Sequence, residues 1–93
     1  MIRALLAICT ALMFAAGANA EQVTVRGCVD AGVEAGCLVL KSGNKTYNIT
    51  SATPKPQPGS YGTVTGKISK DPTTCMQGIL LKPSTWKQAK KQC

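Results

Sequence analysis

Residues 22–29 alternate strictly: Val23, Val25, Gly27 and Val29 fall on one side, Thr24, Arg26 and Cys28 on the other. A period of two predicts a strand with one buried face. Residues 30–36 break the pattern with glycines at 32 and 36 and read as a loop. In residues 37–50, Gly43-Asn44 separates two further runs, the two-residue connection of a β-hairpin. With that turn, Leu40 opposes Tyr47, Leu38 opposes Ile49, Val39 opposes Asn48 and Lys41 opposes Thr46. One face is then apolar and the other mostly polar, and a slip of one residue would scramble both.

Residues 51–59 carry prolines at 54, 56 and 58, which exclude a helix and a central strand and predict an extended surface connection. Alternation returns over 60–69, with Val64, Gly66 and Ile68 facing in and Tyr61, Thr63, Thr65 and Lys67 facing out. Asp71-Pro72 marks a turn. Residues 76–82, with Ile79-Leu80-Leu81, form a fifth short strand that Pro83-Ser84 ends. A short helix follows, with Ser84 as N-cap and Trp86, Ala89 and Cys93 on one face. Residues 1–20 have a different character. Arg3, an apolar run from Ala4 to Ala16 and the small-x-small Ala18-Asn19-Ala20 predict a secretory signal peptide cleaved after Ala20.

Five short strands with closely spaced turns predict an all-β domain over 21–93: a small five-stranded antiparallel OB-like barrel with a short C-terminal helix, the alternative being an SH3-like barrel. Composition sharpens this. Only Tyr47, Tyr61 and Trp86 supply aromatic bulk after the leader, too little for a generous core. Of five cysteines, Cys9 leaves with the leader, and an even set of four remains: Cys28, Cys37, Cys75 and Cys93. In a short exported chain such a set reads as two disulfides and an oxidising destination, periplasmic or secreted. The sequence permits all three connectivities, including a local Cys28–Cys37 staple.

Three segments, Val33-Glu-Ala-Gly-Cys-Leu-Val-Leu40, Pro58-Gly-Ser-Tyr-Gly-Thr-Val-Thr-Gly66 and Thr74-Cys-Met-Gln-Gly78, together resemble small exported bacterial domains with an OB-like fold and no established function. The similarity spans about residues 22–82, and the Gly-Val-Glu-Ala-Gly-Cys and Thr-Cys-Met-Gln-Gly motifs are its most specific parts. The resemblance implies a Cys37–Cys75 bridge. Cys28 and Cys93 are then an added pair that would tie the tail to the first strand.

Histidine is absent, which removes Ser-His-Asp and Cys-His catalysis and the common zinc and copper sites. The acids are only Glu21, Asp30, Glu34 and Asp71, and the one near pair, Asp30 and Glu34, sits in the glycine-bounded loop. There is no Cys-x-x-Cys. An enzyme is therefore not expected, and neither a metal nor another cofactor is called for. What remains is charge. Of 11 Lys+Arg only Arg3 lies in the leader, so residues 21–93 carry +6. Such a field attracts anions. The expectation is a monomeric, non-enzymatic module that binds an anionic ligand or envelope component. Its presenting residues would be Lys41, Lys45, Thr46, Asn48, Lys67 and Tyr61, with Trp86 as a core residue or a tail contact. The alternative is a small secreted inhibitor or effector that grips another protein through the 30–36 loop or the Trp86 tail. Nucleic acid is disfavoured, because stacking platforms are scarce. No membrane span is expected after the leader.

Overall fold

The computed structural model describes residues 21–93, and the signal peptide expected over 1–20 lies outside the described residues. The chain forms six strands: β1 (Gln22–Ala31), β2 (Leu38–Ser42), β3 (Lys45–Asn48), β4 (Ala52–Thr53), β5 (Ser60–Ile68) and β6 (Ile79–Gln92). They make one mixed sheet in the order β3-β2-β1-β5-β6-β4, and β3 also pairs with β6. The β1–β2, β2–β3, β1–β5 and β5–β6 ladders are antiparallel, whereas β3–β6 and β4–β6 are parallel. Among the described residues no helix is long and apolar enough to cross a membrane.

The inward positions of every strand converge on one core: Val29, Leu38, Leu40, Tyr47, Ile49, Ala52, Val64, Leu81 and Trp86, with Val23, Val25, Ile68 and Ile79 packed against it. The hairpin register is the one that the Gly43-Asn44 turn requires, with Leu40 opposite Tyr47, Val39 opposite Asn48 and Lys41 opposite Thr46. Gly43 adopts a φ of 62°, which a side chain rarely tolerates. Gly62 has a different purpose. A Cβ there would sit 2.7 Å from the Trp86 ring, so the bare backbone of β5 is what the indole lies against.

The helix expected from Ser84 is not formed; residues 79–92 are a single strand. Ser84 and Trp86 are buried while Thr85 and Lys87 are exposed, a period of two. Val64 pairs with Trp86 and Gly66 with Ser84. The physical reason lies in β5, which would otherwise be left with a long unpaired edge. A helix of two turns has little stability of its own to set against that pairing. Pro83 does not end the strand, because the ladder is irregular where it stands. Gly66 pairs with Ser84 and Ile68 with Leu81, so Lys82 and Pro83 together oppose Lys67. Such a bulge asks no ladder hydrogen bond of a proline. The proline-rich connection is also less superficial than expected: Ala52 and Pro56 are buried, and Ala52–Thr53 adds a two-residue strand at the sheet's edge.

Two disulfides close the structure, Cys28–Cys93 and Cys37–Cys75. The first joins β1 to the end of the chain; the second pins the 69–78 connection over the hairpin. Asn48 completes that attachment. Its Nδ2 donates to the Cys75 carbonyl, while its Oδ1 accepts from the Thr50 backbone N–H at 3.1 Å and the Thr50 hydroxyl at 2.7 Å. Asn48→Ala removes these bonds, leaving the Thr50 hydroxyl only its Leu38 partners, and is expected to cost about 2–3 kcal/mol. Urea denaturation checks this, and a loss under about 0.5 kcal/mol would show that the network is dispensable.

Candidate anion-binding face

Paired residues on neighbouring strands point to the same side of a sheet, so the registers state which side chains meet on the outer surface of β1, β5, β6 and β4. One row runs Thr24–Thr65–Thr85–Thr53, a threonine on each of four adjacent strands. The next row runs Arg26–Thr63–Lys87. Lys67 stands beside Gln22 at one end of the face, and Tyr61 beside Cys28 at the other. The face thus gathers Arg26, Lys67 and Lys87 around a hydroxyl field, and no acidic residue stands in these rows.

Local contacts tie the face together. The Thr24 and Thr65 hydroxyl oxygens are 3.1 Å apart, and Arg26 Nε donates to Thr63 Oγ1 at 3.4 Å. Lys91 Nζ lies 4.6 Å from the centroid of the Tyr61 ring, and the Arg26 guanidinium carbon 6.0 Å from it. Cation–π attraction of this kind is worth about 0.5–1 kcal/mol at exposed sites. It also adds Lys91 as a fourth cation at that end. Lys82 differs, for Asp71 lies 3.7 Å from its Nζ.

No family model, curated protein or solved structure matches this chain. The site must therefore be read from its own chemistry. Among the described residues no three of His, Cys, Asp and Glu gather where they could hold a metal ion.

The residues singled out in the sequence are not brought together as a group. Lys67 and Tyr61 belong to the face just described. Lys41 and Thr46 form a cross-strand pair on the hairpin, but Lys45 pairs with Ser42, one step along the ladder, and so points to the opposite side. Lys41 and Lys45 leave the hairpin from opposite faces. Asn48 is 1% exposed, with its amide bound to the Cys75 carbonyl of the 69–78 connection, and Val39 is 2% exposed, so that part of the hairpin face is closed to a ligand, whereas Lys41 is exposed. Trp86 is 5% exposed and belongs to the core rather than to a tail contact. Its indole Nε1 donates to Gln88 Oε1 at 3.3 Å.

The threonine row escaped the sequence because its members lie on four separate segments. Thr24 and Thr65 were legible as outward positions, but only the register aligns them. Thr85 and Lys87 become outward positions once 79–92 is a strand. The signal that could have found them was the alternation of Ser84 and Trp86 with Thr85 and Lys87.

A second feature lies where residues 31–38 and 55–58 meet. An open groove of about 440 Å³ is lined by Ala31, Gly36, Cys37 and Leu38 on one side and Lys55, Pro56, Gln57 and Pro58 on the other. Val33 and Met76, each 83% exposed, lie in the two connections that the Cys37–Cys75 bridge draws together. The Val33 N–H donates to Gln77 Oε1 at 2.9 Å.

Proposed function

We propose that the protein is an exported, non-enzymatic binding module that recognises an anionic envelope component or ligand through the basic outer face of β1, β5 and β6. The observation that carries this reading is the grouping of Arg26, Lys67, Lys87 and Lys91 on one hydroxyl-rich surface whose rows contain no acid. A rigid sheet lowers the ordering cost that flexible presentation of the same charges would incur. Two disulfides are consistent with an oxidising destination outside the cytoplasm. The parallel β3–β6 pairing links β1, β2, β3, β6 and β5 in a circuit of neighbours, which favours a small OB-like barrel as the underlying architecture.

Charge neutralisation tests the reading. Arg26→Gln with Lys87→Gln is expected to lower retention on an immobilised polyanion several-fold in low salt, and the parent's retention should fall steeply with added salt. Neutralising Lys41 and Lys45, which face apart, should do less. If the two pairs of substitutions are equivalent, the face has no special standing.

The groove between residues 31–38 and 55–58, together with the exposed Val33 and Met76 of the bridged connections, favours a second reading, a small inhibitor or effector that binds another protein. Apolar contacts of that kind predict one saturable partner whose capture is indifferent to moderate salt, so the same salt titration separates the two.

A further inference from the structure

Resting on the anion-binding reading, we infer that the ligand of the β1–β5–β6–β4 face is an acidic polysaccharide, read by the threonine row as well as by the cations. Three properties of the face select this class.

The first is the hydrogen-bonding character of the row. A phosphate, sulfate or carboxylate group only accepts hydrogen bonds, and lysine and arginine suffice for it. A hydroxyl both donates and accepts. Thr24 and Thr65 spend one hydroxyl hydrogen on each other, which leaves one donor and free acceptor positions there; with Thr85 and Thr53 the row still offers both and so matches a ligand whose own groups do both, as sugar hydroxyls do. Neighbouring strands lie about 4.8 Å apart, so four threonines span about 14 Å, the reach of a short run of sugar rings rather than of a single ion. Arg26 and Lys87 flank Thr63 in the next row and place two charges alongside the hydroxyls.

The second is shape. Adjacent strands turn by about 20–25°, so a row crossing four strands rotates by about 60–75°. A flexible linear polymer can follow that twist, whereas a bilayer surface touches only part of it. Among the described residues, the large exposed apolar side chains that could enter a membrane, Val33 and Met76, are in the connections and not in these rows.

The third concerns stacking. Single-stranded nucleic acid needs free aromatic faces. Tyr61 is the one aromatic residue in these rows, and Lys91 Nζ lies 4.6 Å from its ring centroid.

The test uses the oxidised protein, residues 21–93, with immobilised polygalacturonate as the acidic glycan. Neutral dextran, anionic phosphatidylglycerol vesicles and an oligothymidylate serve as comparisons. Thr24→Val with Thr65→Val removes two hydroxyls while keeping the β-branched shape of the strand. It is expected to weaken polygalacturonate binding roughly tenfold, through the loss of two hydrogen bonds to the ligand. Retention on a sulfonate exchanger should not change. Thr24→Ser with Thr65→Ser keeps both hydroxyls and should restore binding, which guards against a folding artefact. If the valine pair binds polygalacturonate like the parent, or if vesicles or the oligonucleotide bind as tightly as the glycan, the inference is overturned while the anion-binding reading stands. If Arg26→Gln with Lys87→Gln leaves binding to every anion unchanged, both fall.

Discussion

Replacing Cys37 and Cys75 together by alanine is expected to remove about 4 kcal/mol of stability. The two residues are 38 positions apart, and closing a loop of that length in the unfolded chain accounts for an effect of this size. The bridge also holds the 69–78 connection against the hairpin, where the nearly fully buried Asn48 donates to the Cys75 carbonyl itself. Without the cross-link, the connection is held there by hydrogen bonds alone, from Asn48 to the Cys75 carbonyl and from the Val33 N–H to Gln77. Small domains have only about 5–15 kcal/mol in all, so the variant should unfold at much lower denaturant. Chemical denaturation of parent and variant, followed by circular dichroism, measures the difference. A loss below about 1 kcal/mol would mean that the core, and not the cross-link, sustains the fold.

Trp86→Ala should be comparably severe, about 3–5 kcal/mol, because a large ring leaves the interior and a cavity remains. The neighbourhood has little means of closing over it. The indole lies against the bare backbone of Gly62, and Val64 is its cross-strand partner. Trp86→Phe should recover a good part of the loss. Urea denaturation read by far-ultraviolet circular dichroism, which does not depend on tryptophan emission, provides the comparison. Were Trp86→Ala to cost less than about 0.5 kcal/mol, the residue would be a surface group and the strand over 79–92 would be misplaced.

Much of the architecture could be read from local order. The hairpin register followed from one turn, because Gly43-Asn44 permits a single pairing that buries Leu38, Leu40, Tyr47 and Ile49 together. The outward positions of β1 and β5 followed from alternation. What could not be read locally depends on partners distant in the chain. Asn48 on the polar face of the hairpin looks solvent-exposed in isolation, yet it is buried against Cys75. The tail has Trp86, Ala89 and Cys93 at spacings that suit a helix, and only the need of β5 for a second neighbour makes it a strand. The same dependence hid the threonine row, whose alignment exists only after three separate ladders have set their registers.

The two sulfur bridges differ in how readily a small thiol can reach them. Cys37 and Cys75 are enclosed, whereas Cys28 is only half-buried and Cys93 is exposed. Mild reductant should therefore open the Cys28–Cys93 link first, which alkylation and peptide mass mapping would reveal; simultaneous opening would refute the order. Because Lys91 stands two residues before Cys93, the early casualty would be the proposed ligand surface around Tyr61 while the interior persists. Recognition in this molecule would then fade in a reducing medium well before the fold itself gives way.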